Sequence, residues 1–302
     1  NNDTTVVFNK EHLDNSLPLS GEIDSPDLKA VISVISGKEK GKNFTIDSAI
    51  TLGRADNVDC MIQDEMISRT HLRITFDKSH FLVEDLDSKN GTYIDDNQIK
   101  KVSVIPGTVV SLGNSLLVLS LKSQAQIDAE KELYQAATTD VLTNIANRSW
   151  FMKRALEEFS FANYKNLPIT IIMLDIDHFK KVNDNYGHQG GDYILKNTAA
   201  IMQEHIRDHD LLGRYGGEEF LLCFPDTSAE FAEQICSQIR TAVEKTDWSD
   251  IGEGIRLTIS FGIAEVGIDS RRTTILSDAD TRLYQAKHKG RNRIVGLPGG
   301  KL

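Results

Sequence analysis

Apolar and polar positions change rhythm twice along this 302-residue chain. From Leu28 to Leu121 the apolar residues come in short alternating runs, among them Val31-Ile32-Ser33-Val34-Ile35, Phe44-Thr45-Ile46, Phe81-Leu82-Val83-Glu84 and Ser115-Leu116-Leu117-Val118-Leu119, with turn-forming residues between them. Many short strands at this spacing predict a β-sandwich or barrel rather than a βαβ fold. Lys122 to Thr139 contains no glycine or proline and is rich in Ala, Gln, Glu and Lys, which predicts a helix. On it Ala125, Ala129, Leu133, Ala136 and Ala137 approximate one face, and Ile127 and Tyr134 stand seven apart, so a short two-stranded coiled coil and a solvated spacer are both open. Further on, Ile169-Thr170-Ile171-Ile172-Met173-Leu174 is the continuous apolar run of a fully buried central strand, closed by Asp175-Ile176-Asp177. Leu211 to Tyr215 and Phe220 to Phe224 predict two strands with Gly216-Gly217 as their hairpin turn. A helix is expected over Ser277 to His288, and residues 1–27, without any period, read as a disordered leader.

Candidate chemistry gathers where these elements end. A carboxylate at the end of a buried strand is costly unless it is paired or bound to a metal, so Asp175 needs a cationic partner or an ion. Glu218 and Glu219 at the hairpin would sit on rigid backbone, as oxygen ligands of a hard cation must. Taken alone, Gly216-Gly217-Glu218-Glu219 also fits an ordinary solvated turn. After Asp177, the turn at His178 can face phosphate oxygens with backbone N–H groups. Asn183 and Asp192 offer an amide and a carboxylate, which complement the O6, N1 and N2 edge of guanine.

In order, Asp175-Ile176-Asp177-His178-Phe179-Lys180, Asn183, Gly190-Gly191-Asp192 and Arg214-Tyr215-Gly216-Gly217-Glu218-Glu219-Phe220 resemble the GGDEF domain of diguanylate cyclases. The resemblance runs from Asp140 to about Leu297 and takes in Asp140-Val141-Leu142-Thr143, Asn147-Arg148, Leu283-Tyr284-Gln285-Ala286-Lys287 and Gly290-Arg291-Asn292. It implies an α/β domain over 140–298 with a central, mainly antiparallel sheet flanked by helices. It also implies that Asp175, the carbonyl of Ile176 and Glu218 hold Mg²⁺, or Mn²⁺ in its place, on a GTP triphosphate, with Glu219 completing or orienting that shell. Asn183 and Asp192 would bind guanine. The backbone of His178, Phe179, Lys180, Gly216 and Gly217 would lie along the nucleotide, and Lys287 and Arg291 would neutralise its β- and γ-phosphates. For Lys287 and Arg291 the simpler reading is a basic helix end favoured by the macrodipole. The implied reaction condenses two GTP into cyclic di-GMP with loss of two pyrophosphates. Glu218 would take the proton of the attacking 3′-hydroxyl, and the two sites would meet in a two-fold homodimer. Asn144 stands where the family usually has glycine, and asparagine tolerates the left-handed conformation such a turn needs.

Arg207-Asp208-His209-Asp210 is separated from Gly216 by five residues. Its spacing is that of an i,i+3 surface pair, and in the GGDEF family it marks an inhibitory site for the cyclic product with Arg207 and Asp210 as ligands. His205 and His209, four apart, would share a helical face, but no further ligand stands at metal spacing.

In the first half, Thr51-Leu52-Gly53-Arg54, Ile67-Ser68-Arg69-Thr70-His71 and Ser88-Lys89-Asn90-Gly91-Thr92 resemble an FHA domain, which implies a sandwich over 28–121 that binds phosphothreonine peptides. Arg54 and Arg69 would supply guanidinium forks to the phosphoryl group, Ser68 its hydroxyl, and the backbone of Ser88 and Lys89 further donors. Asn90 would hold the peptide main chain, and His71 would buttress the Ser68 loop. Scattered surface charge is the plainer account of the two arginines. Phosphorylated Thr4 or Thr5 of the leader could itself dock on such a pocket.

Composition fits two domains, leader 1–27 and linker 122–139 aside: 40% hydrophobic and 26% charged residues are ordinary for a soluble chain. No apolar run reaches the roughly 18 residues of a membrane span and no secretory signal is evident, so a cytoplasmic location is expected. Three cysteines, Cys60, Cys223 and Cys236, cannot all pair and are expected to be reduced and buried. A net charge of −10 argues against a nucleic-acid partner and leaves phosphates to local cations. Two other functions stay open: a catalytically silent receptor for GTP or cyclic di-GMP, and a scaffold whose output is phosphothreonine binding alone.

Overall fold

The computed structural model describes residues 28–266 and 274–296; Thr4 and Thr5 lie outside the described residues. Internal contacts divide the chain into two units between Gln135 and Ala136. The first is built from β1 (Leu28–Ser36), β2 (Asn43–Ile46), β3 (Ala49–Gly53), β4 (Cys60–Met61), β5 (Leu72–Asp77), β6 (His80–Asp85), β7 (Thr92–Ile94), β8 (Asn97–Ile99), β9 (Lys101–Val104), β10 (Val109–Leu112) and β11 (Ser115–Ser123). They form two separate sheets, in the orders β2-β1-β11-β10-β7-β8 and β4-β3-β5-β6-β9, so the sandwich rather than the closed barrel is realised. Alternation decides the core: Ala30, Ile32 and Val34 of β1 and Leu117 and Leu119 of β11 meet Ile50, Leu52, Leu72, Ile74, Phe81 and Val83 of the other sheet.

The next element, α1 (Gln124–Thr138), is the expected helix, although Lys122 and Ser123 continue β11. It is not a freely solvated spacer. Val31 points away from the sandwich core yet is buried, and α1 is pinned over this outer face. Lys122 Nζ donates to Ser33 Oγ at 2.8 Å and to Glu130 Oε2 at 2.5 Å, and Asn43 Nδ2 donates to Glu130 Oε2 at 2.9 Å. Tyr134 lies so close to Gly41 that a Cβ there would stand 2.4 Å from its ring. Ile127, Glu130 and Tyr134 are accordingly half-buried, while Ala125, Ala129, Leu133, Ala136 and Ala137 are exposed.

The second unit adds β12 (Ala146–Asn147), α2 (Arg148–Lys165), β13 (Ile169–Ile176), α3 (Phe179–His205), β14 (Leu211–Gly216), β15 (Glu219–Pro225), α4 (Ala229–Lys245), β16 (Ile259–Glu265), α5 (Ile275–His288) and β17 (Ile294–Val295). Its sheet runs β12-β14-β15-β13-β16-β17, with β13 antiparallel to both β15 and β16 and only the edge pairs parallel. All of β13 is buried, as a central strand covered on both faces must be. Ile172, Leu174 and Ile176 enter a core with Ile194 and Leu195 of α3 and Ile235 and Ile239 of α4. Ile171 and Met173 enter a second core with Phe151 and Ala155 of α2 and Ala279 and Leu283 of α5. Asp175 continues the second row and so emerges on the α5 side.

The approach of α5 depends on Gly262 of β16, where a Cβ would stand 2.0 Å from the carbonyl oxygen of Ala279 and 2.3 Å from Leu283 N. All three cysteines are buried, and burial pushes their thiols up, Cys60 to about 12. No described helix is long and apolar enough to cross a membrane. Both tryptophans, Trp150 and Trp248, belong to the second unit and report on it alone. Gly262→Ala is expected to destabilise that unit by about 1–3 kcal/mol through overpacking. The readout is a lower urea midpoint in tryptophan fluorescence, and an unchanged midpoint would contradict the close packing.

Candidate functional site

One cluster of charged groups of the second unit lies at the open end of β13. Asp175 is 4% exposed and pairs across the sheet with Glu219 of β15, while the Ile176 N–H donates to the carbonyl of Glu218 at 3.3 Å. Lys287 Nζ reaches Asp175 Oδ2 at 2.7 Å from the last turn of α5. Burial pushes the Asp175 carboxyl up to about 6; Lys287 holds it down, and Glu218 and Glu219 add to the rise. The cationic partner that a buried carboxylate requires is therefore supplied by the chain itself, and Lys287, expected on the phosphates, rests on Asp175.

Among the described residues no group of three or more His, Cys, Asp or Glu side chains is arranged to hold a metal. The expected set of Asp175, Ile176, Glu218 and Glu219 is thus brought together by the sheet without being closed into a ligand shell. Its chemistry still fits a hard divalent cation, since every donor is a carboxylate or carbonyl oxygen.

The hairpin turns one residue later than its glycines predict: Gly216 pairs with Glu219 as the last residue of β14, and Gly217-Glu218 make the two-residue tip. A single guanidinium fastens that tip. Arg214 donates through Nε and Nη2 to the carbonyl of Gly217 at 3.1 and 2.8 Å and through Nη1 to Asp140 Oδ1 at 3.1 Å. Asp140 Oδ1 also accepts from the N–H and hydroxyl of Thr143 at 2.9 and 2.7 Å. Asn144, in place of the usual glycine, takes φ 57°, the left-handed conformation expected of it.

His178 (φ 59°) precedes α3, and Phe179 is buried while Lys180 is exposed. The helix contains a break at Gly187 (φ 69°, ψ 175°). Asn183 lies on one side of the break and Asp192 on the other, and the backbone beside Asp192 comes up against Asn183 because residue 191 is glycine: a Cβ there would stand 2.0 Å from Asn183 Oδ1. Asn183 is half-buried and Asp192 exposed.

Sequence reasoning left Asp177 without a task. It is 5% exposed and accepts from Thr258 Oγ1 at 2.7 Å, Ser260 Oγ at 2.8 Å and the backbone N–H of Asn292 at 3.0 Å. The alternation that makes Asp175 face α5 was the available signal, since it places Asp177 on the same side. Arg291 (φ 59°) and Asn292 (φ 47°) follow α5 in consecutive left-handed conformations.

Arg207 and Asp210 are engaged with each other: Nε and Nη2 donate to the carboxylate at 3.1 and 2.9 Å, and Nη2 also reaches Thr227 Oγ1 at 2.6 Å. The Asp210 carboxylate is covered, whereas the Arg207 side chain is 39% exposed. His205 and His209 do not share a helix face, because α3 ends at His205 and Ile206 is extended (φ −108°, ψ 161°).

In the first unit the three motif-bearing loops are laced together around His71. The buried His71 ring accepts the Ser68 N–H at Nδ1 (3.0 Å), which leaves the proton on Nε2 to be donated to the carbonyl of Gly91 at 3.2 Å. Arg54 N–H donates to the Ser68 carbonyl and Ala55 N–H to the Arg69 carbonyl, so the two arginine-bearing segments run side by side, both side chains exposed. Ser88 and Lys89 differ from expectation: their N–H groups are spent on Asp85 Oδ1 (3.0 Å) and Ser68 Oγ (2.9 Å). Asp85, missed in the sequence, organises this loop by also accepting from the hydroxyls of Ser88 and Thr92. Asn90 Nδ2 donates to the Met66 carbonyl at 2.7 Å.

Two stability measurements follow from these environments. The Asp175 carboxyl, at about 6, lies above its ordinary 3.8, so the unfolded chain releases this proton first and stability falls as pH rises between those values. Asp175→Asn in metal-free buffer is expected to raise Tm at pH 7.5, by an amount corresponding to roughly 2–3 kcal/mol, with the gain vanishing near pH 4; a lowered Tm at pH 7.5 would contradict it. Burial lowers the His71 pKa below 6.5. Its unfolded form therefore takes up a proton as pH falls through that value while the folded form does not, which weakens the first unit toward acid. His71→Gln is expected to flatten that dependence in scanning calorimetry, and an equally steep dependence in the variant would remove His71 as its source.

Residues 137–293 match the family model described as diguanylate cyclase, GGDEF domain, and residues 50–113 match the FHA domain model. Diguanylate cyclase A of Treponema denticola is 36% identical over 168 residues, which are 54% of this chain and 45% of that protein. The response regulator PleD of Caulobacter vibrioides is 36% identical over 166 residues, 54% of this chain and 36% of that protein. The match thus spans less than half the length of either curated relative. Among solved structures, the coiled coil and GGDEF domain of DgcB from Caulobacter crescentus, in complex with c-di-GMP, is similar at 30% identity and a TM-score of 0.54, over 58% of this chain and 93% of that one. Diguanylate cyclase SiaD of Pseudomonas aeruginosa, in complex with its activator SiaC, is similar at 34% identity and a TM-score of 0.52, over 58% and 67%. With its GGDEF domain preceded by an FHA domain, this chain belongs to the GGDEF diguanylate cyclase family.

Proposed function

We propose that this chain is a diguanylate cyclase that converts two GTP into cyclic di-GMP and two pyrophosphates. The observation that carries the reading is the end of β13, where a buried aspartate, the two glutamates of the adjoining hairpin and a lysine from α5 gather at one end of the sheet. In each step the 3′-oxygen of one GTP forms a bond to the α-phosphorus of the other, and the bond from that phosphorus to the β-phosphate oxygen breaks, releasing pyrophosphate. Glu218 at the hairpin tip accepts the hydroxyl proton. Asn183 and Asp192 hold guanine across the break in α3, and Lys287 and Arg291 balance the charge that builds on the departing pyrophosphate. A divalent cation held by Asp175, the Ile176 carbonyl and Glu218 would neutralise the triphosphate and acidify the attacking hydroxyl. Each domain holds one GTP and the product joins two, so the working unit is a two-fold homodimer with the nucleotides facing each other.

The FHA domain is read as a phosphothreonine-peptide receptor that regulates this activity. Arg54 and Arg69 present exposed guanidinium groups on adjoining loops, and Ser68, whose oxygen already accepts from Lys89 N–H, keeps its hydroxyl proton for a phosphoryl oxygen. Asn90, donating to Met66, keeps its amide oxygen for a peptide N–H. Arg207, with its exposed edge, is read as the contact of an inhibitory cyclic di-GMP that shares the guanidinium with Asp210.

The test is incubation with GTP and Mg²⁺, with and without a phosphothreonine peptide, followed by separation and mass measurement of the nucleotides. Cyclic di-GMP is expected, falling about a hundredfold or more in Glu219→Ala, which removes a carboxylate from the cation's surroundings, and its response to the peptide is expected to disappear in Arg69→Ala. Nucleotide bound without cyclic product in any of these states would favour the receptor reading instead.

A further inference from the structure

Arg291 is held in a conformation that its own residue type disfavours. Successive left-handed residues other than glycine are uncommon and cost of order a kcal/mol or more each, so they persist only where surroundings impose them. Here the surroundings are identifiable. Asn292 donates its N–H to Asp177 Oδ2 (3.0 Å) and its side-chain Nδ2 to Glu244 Oε1 (3.0 Å), and accepts at Oδ1 from Arg240 Nη1 (2.9 Å). Arg240 and Glu244 are neighbours one turn apart on α4, joined to each other at 3.2 Å. Every polar group of the Asn292 amide plane is therefore assigned a partner on that helix, and its backbone is assigned to the strand end that carries Asp175. Arg293 Nε adds a bond to the carbonyl of Arg291 at 3.1 Å, and Arg291 N–H returns to Ala286 at 3.0 Å, capping the helix that carries Lys287.

We infer that Arg240 and Glu244, acting through Asn292, are positioning residues for the triphosphate contacts of Arg291 and Lys287, and that Asp177 serves the same clasp rather than the metal. The inference rests on the cyclase reading for what Arg291 and Lys287 contact, but the clasp itself is a property of the chain without nucleotide. Both carboxylate oxygens of Asp177 are already occupied by Ser260, Thr258 and Asn292, which is why the second acid of Asp175-Ile176-Asp177 does not join Glu218 and Glu219. Arg240 and Glu244 lie on α4, outside the groups that would touch substrate, and a purely structural role for them would weaken all ligands alike or none.

Two measurements on the full chain decide it. In calorimetric titration with Mg²⁺ present, Arg240→Ala is expected to weaken binding of a non-hydrolysable GTP analogue about tenfold. GMP, which lacks the β- and γ-phosphates, should bind as before, and Arg240→Lys, which can still donate to Asn292, should recover part of the loss. Equal losses for both nucleotides, or no loss for either, would overturn the inference. In nucleotide-free protein, hydrogen exchange over residues 286–292 should quicken in Arg240→Ala while β13 exchanges as before. Unchanged exchange there would also overturn it, and this arm decides the matter even if the unaltered chain binds no GTP, a result that would count against the cyclase reading alone.

Discussion

A carboxylate cannot end a central strand without a compensating charge or a full set of hydrogen bonds, and the end of β13 carries two. Asp175 is compensated by charge, through Lys287 at 2.7 Å, and Asp177 by hydrogen bonds from two hydroxyls and a backbone N–H. The difference follows from chemistry alone: a carboxylate with three neutral donors has no need of a cation, whereas one that faces two glutamates does. Everything proposed for the second unit depends on that contrast, because it leaves Asp175 the acid for which a cation has to be found. Close packing of α5 at Gly262 makes the lysine available, and the helix could not come so near a side chain there.

Much of this was legible in the sequence, and the reasons are specific. Ile169 to Leu174 could hardly be anything but a buried strand, and the acids closing it announced a charged site. The strands flanking the hairpin were read within a residue or two of their ends, but the turn was placed on Gly216-Gly217 when backbone pairing puts it on Gly217-Glu218. Two glycines mark where a chain can turn and not which residue pairs across it. The long helix α3 was not read at all, since its first part is polar and Gly187 interrupts its period. Nor could α1 be assigned a neighbour: Glu130 meets Lys122 and Asn43, and one of these lies 87 residues away in the chain.

The first unit shows a limit of another kind. Residue types picked out three loops that the fold does bond to one another, yet donors counted from sequence were not all free to act. Ser88 and Lys89 spend their N–H groups on Asp85 and Ser68, so the loops are rigid because their own polar groups are consumed. What remains outward is a short set, chiefly the two guanidinium groups. A buried neutral histidine holds the lacing together from beneath, bonding one loop with each ring nitrogen.

The burial of all three thiols has a practical side. Cys60, Cys223 and Cys236 are enclosed in their cores with their ionisation suppressed, and only thiolates attack alkylating reagents. A cysteine introduced on the exposed side of α1, at Ala129 or Leu133, would thus be the sole fast-reacting sulfur in the folded chain. A fluorophore or nitroxide could be attached there without first stripping out the native residues, and distances between two labelled copies would then read the helix directly.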